Sequence, residues 1–345
     1  MNFPVAQSES ISSLPSWGWP LIAFFIAALV TIGVVPSVRK FAIAKGAVDD
    51  PKRDDRRVHV EPIPRWGGVG IFVGILASCL VLPAVGAVPL AILGTMVATL
   101  VLVYIGTIDD MQSFSARRQA VIMLVAAIGV QFVFAGSPNE PRVFIERYTT
   151  PILGTPTGYA YFPVVVSVFL TFVYLFVVTK TMDTIDGVDG LASGLSAIAA
   201  ISIAIVTALG AGGSPHVVVL SAGVAGACIG FLRWNWNPAK IFMGTGGSQG
   251  LGFLLACLSI VGPAKVAGGW SWFVPFLIFS VPLVDAIQVT IRRLRAGVPI
   301  YVGDKRHLHH QLLNRGLGAK KTVIVLYLGG LMTSSILIIA VANHG

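Results

Sequence analysis

Apolar residues run along this chain in stretches of about twenty, broken by short polar segments, instead of alternating in the two-residue rhythm of a half-buried strand. A bilayer-spanning helix needs ~20 such residues, because in hydrocarbon only a helix or a closed barrel satisfies its own backbone hydrogen bonds. The pattern predicts about ten spans, near 20–38, 67–84, 88–106, 119–135, 161–178, 188–209, 217–232, 249–263, 270–291 and 322–342, with room for an eleventh near 151–178. The expected fold class is an all-α polytopic transmembrane bundle. A segment at 1–19 precedes one integral membrane domain over 20–342.

Composition agrees with that pattern. Hydrophobic residues make up 55% of the 345 positions and charged residues 11%, too few to solubilise a globular protein of this size. The three cysteines, Cys79, Cys228 and Cys257, fall inside predicted spans without metal-ligand spacing and read as small packing residues. Glu9 and the lack of Lys or Arg before the first apolar run differ from the start of a cleaved signal peptide, so the first span is expected to be retained.

Charge placement sets the expected orientation. With the N-terminus outside, the inner loops fall at about 39–66, 107–118, 179–187, 233–248 and 292–321, and hold 8, 2, 1, 2 and 8 Lys or Arg, which is 21 of 24. The positive-inside rule selects this topology, and the net charge of +9 then needs no nucleic acid. Attraction to anionic lipid headgroups accounts for the surplus. Of the 15 acidic residues, all but Glu9, Glu140 and Glu146 lie on the same side. A carboxylate near hydrocarbon is costly and marks a cavity, a cation or a partner.

Five constellations occupy that face. Asp109-Asp110 closes a predicted span; the pair suits a hard divalent cation or a base with a metal-positioning neighbour, or else an acidic helix end neutralised by Arg117 and Arg118. Asp183, Asp186 and Asp189 recur every third residue after Lys180, with Gly187 and Gly190 permitting close approach of a ligand. The segment from Arg233 to Ser248 sets Lys240 before a glycine-rich helix start, either a phosphate cradle or a tight turn. Arg306, His307, His309 and His310 follow Asp304 and Lys305, and suit a diphosphate better than zinc because cations surround them. Arg57 and His59 lie in a basic loop before Pro62, Pro64 and Gly67-Gly68, which reads equally well as a membrane anchor.

Taken together, Arg56-Arg57-Val58-His59, Asp109-Asp110, Asp186-Gly187-Val188-Asp189-Gly190-Leu191, Pro238 to Gly244, Pro282 with Asp285, and Asp304 to His310 resemble the polyprenyl-phosphate N-acetylhexosamine-1-phosphate transferases, in the family's order over roughly 20–340. The His-Leu-His-His run is similar to the branch that uses UDP-N-acetylglucosamine and undecaprenyl phosphate. The resemblance implies a magnesium-dependent enzyme, with manganese as the alternative ion, in a bacterial cytoplasmic membrane with its site facing the cytoplasm. The lipid phosphate attacks the sugar-linked phosphorus of a UDP-sugar and UMP leaves; a homodimer is also implied. Asp109, Asp110, Asp186 and Asp189 are the expected catalytic residues. Asp109, Asp110 and Asp183 are the expected metal ligands. Arg57, His59, Lys180, Lys240, Asp285, Arg306, His307, His309 and His310 are expected to bind substrate, the histidines as phosphate-holding cations.

Three positions depart from the family pattern. Lys180 and Asp183 stand where the family has asparagines, and Thr245 replaces an aspartate that the resemblance makes a magnesium ligand. Asp183 is expected to supply the missing carboxylate across the cleft, with Lys180 neutralising phosphate. The competing expectations are a homologue that binds donor without turnover, and a membrane transporter, although the acids gather at one face and not at the midplane.

Overall fold

The computed structural model describes residues 17–49, 62–132, 143–145, 147–149, 159–267, 273–298 and 306–344. The apolar stretches form helices α1 (Gly18–Ala44), α2 (Gly67–Ser78), α3 (Leu90–Gln112), α4 (Ala116–Phe132), α5 (Val164–Ile185), α6 (Leu191–Leu209), α7 (Pro215–Asn235), α8 (Gly244–Val261) and α13 (Ala319–His344). Shorter helices α9 (Pro263–Val266), α10 (Val274–Ile278), α11 (Ser280–Arg295) and α12 (Leu308–Asn314) lie between α8 and α13. Among the described residues, eight helical segments are long and apolar enough to cross a membrane. The chain is an all-α, multi-pass membrane protein.

Two predicted spans differ from the rest. The 119–135 stretch becomes α4, which at 17 residues includes Arg117 and Arg118, and the 270–291 stretch breaks at Phe279 into α10 and α11. Pro275 and Pro282 punctuate that second stretch, and neither can donate a helical hydrogen bond. Two predicted inner loops are also largely helical. Helix α3 runs past 106 to Gln112, and α5 runs past 178 to Ile185, so Asp109, Asp110, Lys180 and Asp183 project from helix ends and not from loops. Continuing the helix pairs backbone groups that a loop at the membrane edge would leave exposed to lipid.

Helix α8 is the axis of the bundle. Its apolar stretch is 94% buried, against 28% for that of α1, and it packs on α3, α5 and α2. Glycine makes that position available. A Cβ on Gly68 would lie 2.3 Å from the Gly247 Cα, and one on Gly106 would lie 2.5 Å from the Gly246 Cα, so α2 and α3 cross α8 backbone to backbone. The α7–α8 connection is stitched to α2 as well. Phe242 N donates to Pro64 O at 2.9 Å, while Gly67 N and Gly68 N donate to Phe242 O and Met243 O at 2.9 and 2.8 Å. Pro64 belongs to a short antiparallel ribbon, β1 (Val48–Asp49) with β2 (Ile63–Pro64).

Helix α1 contains Pro36, which leaves the Ile32 carbonyl without its helical donor. Trp234 Nε1, from α7, donates to that carbonyl at 3.1 Å, and Arg39 Nε donates to Lys240 O at 3.0 Å. Thus α1 is fastened twice to the segment that leads into α8.

Candidate active site

Because α3 and α5 end where α8 begins, their terminal side chains converge. The two adjacent aspartates of α3 point to different places. Asp110 Oδ1 accepts from Thr245 N at 2.9 Å, in the first turn of α8, and lies 3.7 Å from Arg65 Nη1. Asp110 Oδ2 is buried with no hydrogen-bond partner among the described residues, next to Gly244, where a Cβ would stand 2.4 Å from it. Gly244 adopts φ +78°, a left-handed conformation that also favours glycine. The helix N-terminus that was expected to cradle phosphate therefore presents Thr245 N–H to Asp110.

Asp109 faces the α3–α4 turn. It accepts from Phe114 N and, at 2.8 Å, from Gln119 Nε2, so protein donors meet both of its oxygens. Expected to ligate metal beside Asp110, it has both oxygens engaged in holding the turn.

Asp183, expected to supply the missing carboxylate, reaches the first turn of α8 through Ser248, three positions beyond Thr245. Its Oδ1 accepts from Ser248 Oγ at 3.0 Å and its Oδ2 from Lys180 Nζ at 2.7 Å. Asp186 completes the cluster, and burial, then the Asp183 and Asp110 carboxylates, push it up to about 7 against the pull of Arg65. Asp186 thus binds its proton more tightly in the folded protein than at the ordinary carboxylate value of 3.8. Stability should then fall as pH rises from about 3.8 to about 7, with the penalty complete above 7. The melting-temperature difference between Asp186→Asn and the parent, in magnesium-free detergent solution, should widen in the variant's favour over that window. A difference independent of pH would contradict it.

Asp189, expected to be catalytic, also has a task in the fold. Its Oδ2 accepts from Asn237 Nδ2 at 2.9 Å and Ala239 N at 3.0 Å, shaping the α7–α8 connection. Buried Asn235 continues the brace, accepting from Gly190 N at 3.0 Å and donating to Ile241 O at 2.9 Å.

The histidines lie against the aspartate segment. A Cβ on Gly187 would come within 2.9 Å of His309 Nε2. The His309 ring is 4.3 Å from that of His310 and 5.6 Å from that of His307. Asp285, expected to contact substrate, is 1% exposed and supports this cluster from below. It accepts from His307 Nδ1 at 2.7 Å and from Leu308 N at 2.6 Å, fixing the start of α12. Burial, then the neighbouring His310, hold His309 down to about 4, so at neutral pH it is an uncharged imidazole and not the expected phosphate-holding cation.

Lys240 is not part of the cluster. Expected to bind substrate, it is exposed, with its ammonium in a cation–π contact 5.6 Å from the Trp234 ring centroid. Arg306 is exposed at the start of the histidine segment. Arg57 and His59 lie outside the described residues. Sequence reasoning missed Arg65 and Gln119 and took in Ser248 only as the end of the glycine-rich segment; Arg65 carried a signal, as a cation between Pro64 and the glycine pair.

One end of an all-helical membrane bundle therefore carries three carboxylates, an arginine, a lysine and a histidine cluster. That is the equipment of an enzyme that handles phosphate at a membrane edge. The model for glycosyl transferase family 4 matches residues 92–263. A probable undecaprenyl-phosphate N-acetylglucosaminyl 1-phosphate transferase of Bacillus subtilis is 33% identical, covering 91% of this chain and 83% of that protein. A decaprenyl-phosphate N-acetylglucosaminephosphotransferase of Mycobacterium tuberculosis is 31% identical over 88% of this chain and 78% of its own length. The undecaprenyl-phosphate alpha-N-acetylglucosaminyl 1-phosphate transferase of Escherichia coli K12 is 28% identical over 89% and 80%. The chain belongs to glycosyl transferase family 4, the polyprenyl-phosphate N-acetylhexosamine-1-phosphate transferases that its motifs resemble.

Proposed function

We propose that this protein transfers N-acetylglucosamine-1-phosphate from UDP-N-acetylglucosamine to undecaprenyl phosphate, releasing UMP, as the first membrane step in building a cell-envelope polysaccharide. Its site faces the cytoplasm across a bacterial cytoplasmic membrane, the orientation that the basic inner loops favour. The observation that carries this reading is the convergence of Asp110, Asp183 and Asp186 with Arg65, Lys180 and the His309 cluster at one end of the bundle.

The chemistry follows from that set. An oxygen of the lipid phosphate bonds to the sugar-linked phosphorus as its bond to the UMP oxygen breaks, and the two anions must be neutralised before they can approach. Arg65 and Lys180 supply fixed positive charge. His309, neutral and pressed on Gly187, shapes the rim and offers hydrogen bonds instead of charge.

Magnesium suits the residues present. Among the described residues no three acidic, histidine or cysteine side chains stand together as a complete metal cage. Magnesium keeps several waters and takes one or two carboxylates plus substrate phosphates, and Asp110, whose Oδ2 has no hydrogen-bond partner among the described residues, forms such a pair with Asp186. Asp110 and Asp186 would hold the ion, which when bound neutralises diphosphate charge. The hydroxyl of Thr245 favours a second reading, a protein that binds donor without turning it over.

Purified protein supplied with UDP-N-acetylglucosamine, undecaprenyl phosphate and magnesium should release UMP. Donor binding without UMP would establish the second reading, and neither binding nor turnover would remove both.

A further inference from the structure

We infer that Gln119 is a positioning residue that couples Asp109 to Lys180 and so aims the lysine ammonium at the donor diphosphate; this rests on the transferase reading above. A continuous chain of side chains crosses the site. Asp109 accepts from Gln119 Nε2 at 2.8 Å, Gln119 Oε1 accepts from Lys180 Nζ at 3.5 Å, Lys180 donates to Asp183 at 2.7 Å, and Asp183 accepts from Ser248 at 3.0 Å. Four helices, α3, α4, α5 and α8, are joined by it.

The chemistry of the middle member is specific. A carboxylate only accepts and an ammonium only donates, so a group lying between them must donate on one side and accept on the other. A primary amide meets that demand in one orientation, with nitrogen toward Asp109 and oxygen toward Lys180. Leucine at 119 would break both bonds. Glutamate would keep the acceptor for Lys180 but set a second carboxylate against Asp109.

Lys180 gains direction from this arrangement. A lysine is a flexible point charge on a four-carbon stem, and its aim has to come from partners. Two acceptors, Gln119 Oε1 and Asp183 Oδ2, hold it from either side, while 42% of its side-chain surface stays exposed and open to a ligand. Asp109 therefore contributes from a distance, through the amide that it orients. The adjacent aspartates divide the labour: Asp110 faces the cleft and Asp109 steadies the cation opposite.

A double-mutant cycle tests this with Gln119→Leu, Lys180→Met and the pair, in the full-length protein in detergent, reading equilibrium binding of UDP-N-acetylglucosamine and the kcat and KM of UMP release. Gln119→Leu should weaken donor binding and raise the donor KM about tenfold, leaving the KM for undecaprenyl phosphate unchanged. Beyond Lys180→Met alone, the double variant should lose less than about twofold, because contacting residues in one network are non-additive. If the two losses multiply, or if the Gln119→Leu loss falls equally on both substrates, the coupling is absent. Should Gln119→Leu fail to fold, Gln119→Glu serves, with its donor-binding loss absent in the Lys180→Met background. Failure of the parent protein to bind UDP-N-acetylglucosamine would instead sink the transferase reading, an outcome separate from additivity.

Discussion

UMP release by an Asp110→Asn protein should fall by about a hundredfold or more, the scale seen when a single preorganised charge-stabilising group is lost from an active site. The asparagine amide keeps the side-chain shape, and its oxygen can still accept from Thr245 N, the bond that ties α3 to the start of α8. What disappears is the anionic Oδ2, buried beside Gly244 with no hydrogen-bond partner among the described residues and close to Asp186. Removing one of several crowded carboxylates relieves repulsion, so the variant should melt no lower than the parent. Measuring UMP release and melting temperature on the same preparation separates the two effects. Turnover near the parental rate would take Asp110 out of the mechanism.

The second large effect is on the fold. Gly68→Ala places a methyl group 2.3 Å from the Gly247 Cα and 2.5 Å from its nitrogen, a clash with backbone that no rotamer change relieves. Helices α2 and α8 must then move apart, which strains the hydrogen bonds from Gly67 N and Gly68 N to Phe242 O and Met243 O. Overpacking costs roughly 1–3 kcal/mol where side chains can adjust, and more is expected where only backbone can yield. Gly33→Ala is the matched control, because a Cβ there meets nothing within 4 Å. Thermal unfolding in detergent should show a large drop for the first and little change for the second. Equal melting temperatures would refute the close crossing as a source of stability.

Much of this was readable before any coordinates. Uninterrupted apolar stretches announce membrane helices because lipid leaves the backbone no other partner, and the one-sided distribution of charge marks the end where chemistry gathers. Helix phase was not readable. Asp109 and Asp110 look equivalent in a line of letters, yet about 100° of helical rotation turns one to the cleft and the other to the α3–α4 turn. Gln119 was hidden because it is uncharged and stands at the first position of a predicted span. Lys240 has a spacing before the glycines that suits a phosphate, whereas in the fold its side chain lies over the Trp234 ring, a contact that no local pattern announces. The role of Asp285 required a contact across 22 positions, with His307.

The proline in α1 reaches further than its own helix. By freeing the Ile32 carbonyl it creates a socket that the Trp234 indole plugs, and one helical turn beyond the proline Arg39 grips the Lys240 carbonyl. Helix α1 is thus spliced at two points to the segment whose far end delivers Thr245 to Asp110. Tilting of α1, much of whose surface is not covered by the other helices, would tug on that splice, so bilayer thickness has a mechanical route to the carboxylates at the end of the bundle.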